Sequence, residues 1–171
     1  MPRRFMANPA RDILTLFTSM FMHAGWVHFG GNMLYLWIFG DNVQDRFGHG
    51  KFIIFYLLCG LAATFVQLAF SLGSSVPNLS ASGAITGVLG SYILLFPEQQ
   101  VRVLMGKSVI PVPELIVIGF WIVVQFFSGF TAFANTADTG GVAYMAHIGG
   151  FIAGFMLTYL FRSNSQARLT A

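Results

Sequence analysis

A serine and a histidine stand near the heads of two apolar, glycine-faced segments of this sequence. The serine is Ser82, in Ser80-Ala81-Ser82-Gly83-Ala84-Ile85-Thr86-Gly87-Val88-Leu89-Gly90, where Gly83 and Gly87 are four apart. The histidine is His147, in Ala146-His147-Ile148-Gly149-Gly150-Phe151-Ile152-Ala153-Gly154, where Gly150 and Gly154 repeat that spacing. Residues four apart share one helix face, and small residues there let two backbones approach closely, as helices in membranes do. A hydroxyl and an imidazole brought together by such packing are a nucleophile and its general base.

A second set lies upstream in His23-Ala24-Gly25-Trp26-Val27-His28-Phe29-Gly30-Gly31-Asn32. His28 and Asn32 are four apart on one helix face, and both side chains donate hydrogen bonds. Fixed donors of this kind stabilise the negative oxygen of a tetrahedral intermediate, more strongly where the dielectric is low. The backbone amide of Ser82, at a helix start, adds a third donor with the helix dipole behind it. His23 reads as a structural residue of the preceding loop.

These residues need helices to position them, and composition says of what kind. Of 171 residues, 56% are hydrophobic and 9% charged, with 19 Phe and a mean hydropathy of +0.70. A soluble domain carries about 25% charged residues, so the chain reads as an all-α, polytopic membrane helix bundle. A bilayer core takes about 20 residues of helix. On that measure the sequence predicts five transmembrane helices, over about 27–45, 52–72, 82–96, 112–130 and 141–161, joined by short turns. They form a single membrane domain over 1–171, with 1–26 an outer loop and 162–171 a cytoplasmic tail.

Orientation follows from the basic residues. Arg46 and Lys51, Arg102 and Lys107, and Arg162 and Arg168 mark three cytoplasmic segments, while the loops after the second and fourth spans carry no Lys or Arg. Ser82, His28 and Asn32 then lie at the outer ends of their spans. His147 falls about six residues into the last, or about 9 Å deep at 1.5 Å per residue. Arg3, Arg4 and Arg11 would also lie outside, which an upstream span absent from this chain would explain.

Other chemistries fit less well. The single Cys59 cannot form an intrachain disulfide, a net charge of +3 scattered over loops does not make a nucleic-acid surface, and no cleavable signal peptide opens the chain. No His-Glu-x-x-His zinc motif is present, nor two carboxylates at one membrane depth. His49 reads as a turn or interface residue on the wrong side of the membrane for Ser82, and Asp41 as a partner of interfacial water or Arg46. The aromatic stretch Phe120, Trp121, Phe126, Phe127, Phe130 reads as lipid-facing or packing surface. Trp26, Tyr35 and Trp37 read as contacts to the interface or to neighbouring helices.

The chain resembles the rhomboid intramembrane serine proteases over nearly its whole length. The resemblance is carried by His28 and Asn32 after His23, by Ser82-Gly83, by Ala146-His147-x-x-Gly150-x-x-x-Gly154, and by Gly40-Asp41-Asn42-Val43-Gln44-Asp45 followed by Phe47-Gly48-His49. It implies Ser82 as nucleophile, His147 as general base without an acid partner, and His28, Asn32 and the Ser82 amide as the oxyanion hole. It also implies hydrolysis of a peptide bond in or next to the transmembrane segment of membrane-protein substrates, with no metal or organic cofactor. The fourth span and the loop from Ser128 to Gly141 would correspond to the family's gate and cap.

Three features depart from the family pattern. Ser80 stands where the motif has glycine, the first of six spans is missing, and Leu14 and Thr15 replace an aromatic-arginine pair. Ser80 and the missing span favour an alternative, a weak or inactive rhomboid-like protein that binds membrane-protein clients. A transporter or channel fits least, because such proteins place polar groups near the midplane. The orientation suits a multi-pass protein of the bacterial inner (plasma) membrane.

Overall fold

The computed structural model describes residues 14–15, 17–23, 25–70, 81–135 and 144–162. It is a helical bundle. The first rod is α1 (Trp26–Tyr35), continued through a π-helical stretch (Leu36–Gly40) into α2 (Asp41–Phe47). After Gly48, whose φ of 81° breaks the helix, come α3 (His49–Phe70), α4 (Ala81–Leu95), α5 (Glu114–Asn135) and α6 (Tyr144–Arg162). These elements fall where the five spans are expected. By length and apolar composition alone, α3 and α6 are the two described helices long and apolar enough to cross a membrane.

The helix α4 has 15 residues, fewer than the span length expected, and every residue from Ala81 to Tyr92 is buried. It is the central rod of the bundle, wrapped by protein, so its surface is selected for close approach and not for lipid. A Cβ on Gly150 would meet the carbonyl oxygen of Gly83, and one on Gly154 the carbonyl of Gly87. On the other side of α4, a Cβ on Gly87 would collide with the side chain of Cys59 of α3, and one on Gly83 with the Ala63 side chain 2.5 Å away. The glycine faces therefore set α4 against α6 at backbone contact. The Thr86 hydroxyl reinforces the contact, donating to Gly83 O at 2.8 Å and to His147 O at 3.0 Å.

Below this seam, Phe39, Val43, Phe47, Phe55, Cys59, Val88, Leu89, Tyr92 and Ile118 form the core. The π-helical stretch lets Phe39 meet the Tyr92 ring edge-on at 5.0 Å while α2 keeps its own register. Arg46 lies over the Phe96 ring at 5.7 Å, and Asp41 is exposed. His49 is the first residue of α3, directly after the break at Gly48, and its exposed ring has Nε2 3.4 Å from Gln44 Nε2.

The segment between α4 and α5 corrects a sequence expectation. Instead of a plain short loop it forms an antiparallel hairpin, β1 (Gln100–Met105) and β2 (Ser108–Pro113), with Met105 opposite Ser108. The two-residue turn is Gly106-Lys107, and Gly106 takes the φ of 63° that such tight hairpin turns require. The expected outer loop over 1–26 lies mostly outside the described residues, as do Ser80, the loop after Asn135 and the tail.

Candidate active site

Ser82 is the second residue of α4 and His147 the fourth of α6, so the backbone contact between those helices brings their first turns together. Ser82 Oγ and His147 Nε2 are 2.8 Å apart, and both residues are only 8% exposed. Within the described helix His147 is about 5 Å from Tyr144, at 1.5 Å per residue.

His28 and Asn32 arrive from α1. Together with Ser82 and His147 they line one cavity of about 190 Å³, whose wall also includes Tyr35, Ile85, Thr86, Leu89, Trp121 and Gln125. The structure thus gathers every residue that the sequence named for the site around a single space. Asn32 is buried, and its Nδ2 has no hydrogen-bond partner among the described residues. A buried donor left unpaired costs about 1–3 kcal/mol, an outlay that an incoming acceptor would recover. His23 stays outside the cavity lining and packs edge-on against His28, with ring centroids 5.7 Å apart, and against Phe29 at 5.0 Å.

Three helices hold His147, through groups that sequence reasoning passed over. Gln67 of α3 accepts the Ala146 N–H through Oε1 at 3.0 Å, satisfying an otherwise free donor in the first turn of α6. Thr86 of α4 holds the His147 carbonyl, as above. Gln125 of α5 has its Oε1 2.9 Å from His147 Nδ1. Trp121, one turn earlier on α5, faces inward, its ring 5.6 Å from the imidazole and 6.4 Å from Tyr35. Of the two readings of this aromatic stretch, Trp121 is packing surface, whereas Phe120 and Phe127 are exposed. A polar glutamine inside an apolar span was the available signal for Gln67 and Gln125.

Among the described residues no three His, Cys, Asp or Glu side chains gather to hold a metal ion. The chemistry on offer is that of a hydroxyl beside a buried imidazole, with an amide donor across the same cavity.

The fold and site define a class: a multi-pass helical membrane protein with a serine–histidine pair buried where three helix ends converge. The chain belongs to the rhomboid family, its residues 10–164 matching the family model described as Rhomboid domain. It is 31% identical over 147 residues to Rhomboid protein 1, mitochondrial, of Saccharomyces cerevisiae, covering 84% of this chain and 40% of that protein. It is 32% identical over 142 residues to Rhomboid protease GluP of Bacillus subtilis, covering 82% of this chain and 24% of that one. The bovine Presenilin-associated rhomboid-like protein, mitochondrial, is 33% identical over 108 residues, 61% of this chain and 29% of its own. The chain therefore spans well under half the length of these relatives. Family membership makes it an integral membrane protein, and its relatives come from both a bacterium and mitochondria.

Proposed function

We propose that this protein is an intramembrane serine endopeptidase, cleaving a peptide bond in or next to the transmembrane segment of membrane-protein substrates with a Ser82–His147 dyad. The observation that carries the reading is the 2.8 Å contact between Ser82 Oγ and His147 Nε2 in a buried site. With Nε2 bare, the imidazole takes the hydroxyl proton as Oγ attacks the substrate carbonyl carbon. The carbonyl oxygen becomes negative, and Asn32 Nδ2, His28 and the Ser82 amide are the donors assigned to it. The imidazolium then protonates the departing amine. Water, deprotonated in turn by His147, releases the acyl group from Ser82. No step calls on a metal or an organic cofactor.

The likeness to the Bacillus subtilis relative, named a rhomboid protease, supports the reading. The client-binding alternative gains no support from the described residues, since a binding module has no need of a paired serine and imidazole beside a spare amide donor. Ser80, which favoured it, lies outside them. The bacterial plasma membrane stays a proposal resting on the distribution of Lys and Arg; the Bacillus relative agrees with it and the mitochondrial ones do not.

The test is cleavage of a fluorescently labelled single-span peptide panel by the protein in proteoliposomes. The wild type is expected to cut at or beside the span. Asn32→Ala should lower kcat by about 10²–10³-fold, the usual effect of removing an oxyanion donor, with KM little changed. Equal kcat in wild type and Asn32→Ala would remove Asn32 from the oxyanion site, and a panel left uncut by folded wild type would count against the protease reading itself.

A further inference from the structure

The imidazole of His147 has two nitrogens with different neighbours: Nε2 faces Ser82 Oγ at 2.8 Å, and Nδ1 faces Gln125 Oε1 at 2.9 Å. A neutral imidazole carries one N–H, so the two contacts are not independent. If Nδ1 donates to the Gln125 oxygen, Nε2 presents its lone pair to the serine hydroxyl and can receive that proton. If the Gln125 amide were reversed, its NH₂ would donate to Nδ1, the imidazole proton would sit on Nε2, and the ring would donate to Ser82 Oγ. The first arrangement makes a base and the second does not.

We propose that Gln125 is a positioning residue of the dyad, its amide oxygen holding His147 in the Nδ1–H tautomer with Nε2 turned to Ser82. The inference rests on the protease reading for its effect on rate, and on geometry alone for its effect on the tautomer. Gln125 supplies an uncharged acceptor where a serine–histidine pair with a third member would have a carboxylate. An amide oxygen fixes the tautomer and ring orientation just as a carboxylate does, and it does so without placing a full charge at membrane depth, where an ionised group is costly.

The placement has a further consequence. His147 is on α6, its backbone is pinned by Gln67 of α3 and Thr86 of α4, and only its outer nitrogen is held from α5. Gln125 and Trp121 are four apart, so one face of α5 contributes both the acceptor and the ring beside the imidazole. The base is therefore set only while that face of α5 rests against α6. Any displacement of α5 that widens the cavity removes the acceptor, and attack must wait for its return.

Two measurements on the full chain decide the proposal. In ¹⁵N-histidine NMR of the detergent-solubilised protein, with His147 assigned through a His147→Ala spectrum, the wild type should show a protonated Nδ1 and a bare Nε2. Gln125→Leu, which keeps the bulk but offers no acceptor, should lose that signature while its melting temperature shows it folded. In fluorophosphonate labelling, Gln125→Leu should react about 10–100-fold more slowly, by analogy with the loss of a partner that orients a metal-bound histidine. Gln125→Glu, which keeps an acceptor oxygen, should recover most of the rate. An unchanged His147 tautomer in Gln125→Leu, or a folded Gln125→Glu as slow as Gln125→Leu, would overturn the proposal. A wild type that fails to label at all would refute the protease reading, leaving the NMR result to judge the role of Gln125.

Discussion

Ser82→Ala, His147→Ala and the double variant are expected to lose substrate cleavage to the same extent, on the order of 10⁴–10⁶-fold in kcat, because groups that act as one unit are strongly non-additive. The reason is in the contact itself. Without His147 the Ser82 hydroxyl loses the acceptor that stands 2.8 Å away, and without Ser82 the imidazole loses the hydroxyl it would activate. Whatever rate survives comes from binding and from the oxyanion donors. Both residues line an existing cavity of about 190 Å³, so truncating either enlarges a space already present and the variants should remain folded. Cleavage assays in proteoliposomes, with melting curves for each variant, check both halves. Two single losses that multiply in the double variant would mean that the residues work independently and not as a dyad.

The other large effect is structural. Gly154→Ala is expected to destabilise the bundle by about 3 kcal/mol or more, at the upper end of overpacking penalties, and to abolish activity with it. A Cβ at 154 falls on the carbonyl of Gly87, which is backbone of the central helix and has no rotamer with which to move aside. Relief requires α4 and α6 to separate, and the same separation pulls Ser82 from His147. Gly119→Ala is the control, since a Cβ there meets nothing within 4 Å. It should leave stability unchanged or raise it slightly, alanine being the better helix former by about 1 kcal/mol. Thermal unfolding in detergent measures both. Equal melting temperatures for the two variants would show that the α4–α6 seam is not the rigid contact described.

Much of the site was legible because polar residues stand out in an apolar chain and the glycine spacing names the face on which helices meet. Ser82, His147, His28 and Asn32 could be found in that way, and so could the positions of the helices. What escaped was set by tertiary contact. Gln67 lies 79 residues from its partner Ala146, and Gln125 lies 22 from His147, so no local pattern ties either to the site. Trp121 shares its apolarity with the exposed Phe120, and hydropathy does not tell an aromatic ring facing a cavity from one facing lipid. The shortness of α4 reflects burial by its neighbours, which the sequence shows only as a run of small residues. The hairpin did leave a local trace, Gly106-Lys107 between runs rich in valine, but a two-stranded element inside a helical membrane chain runs against the prevailing composition. The π-helical stretch left none.

The most direct test of the central claim is mass-spectrometric mapping of the adduct formed by a fluorophosphonate on the detergent-purified chain. This reagent reacts with a hydroxyl activated by a base and needs no knowledge of the natural substrate. The account predicts a single modified serine, Ser82, and loss of the adduct in both Ser82→Ala and His147→Ala. Wild-type protein that stays folded and unmodified, or an adduct on Ser82 that survives His147→Ala undiminished, would contradict the claim that these two residues form a working dyad.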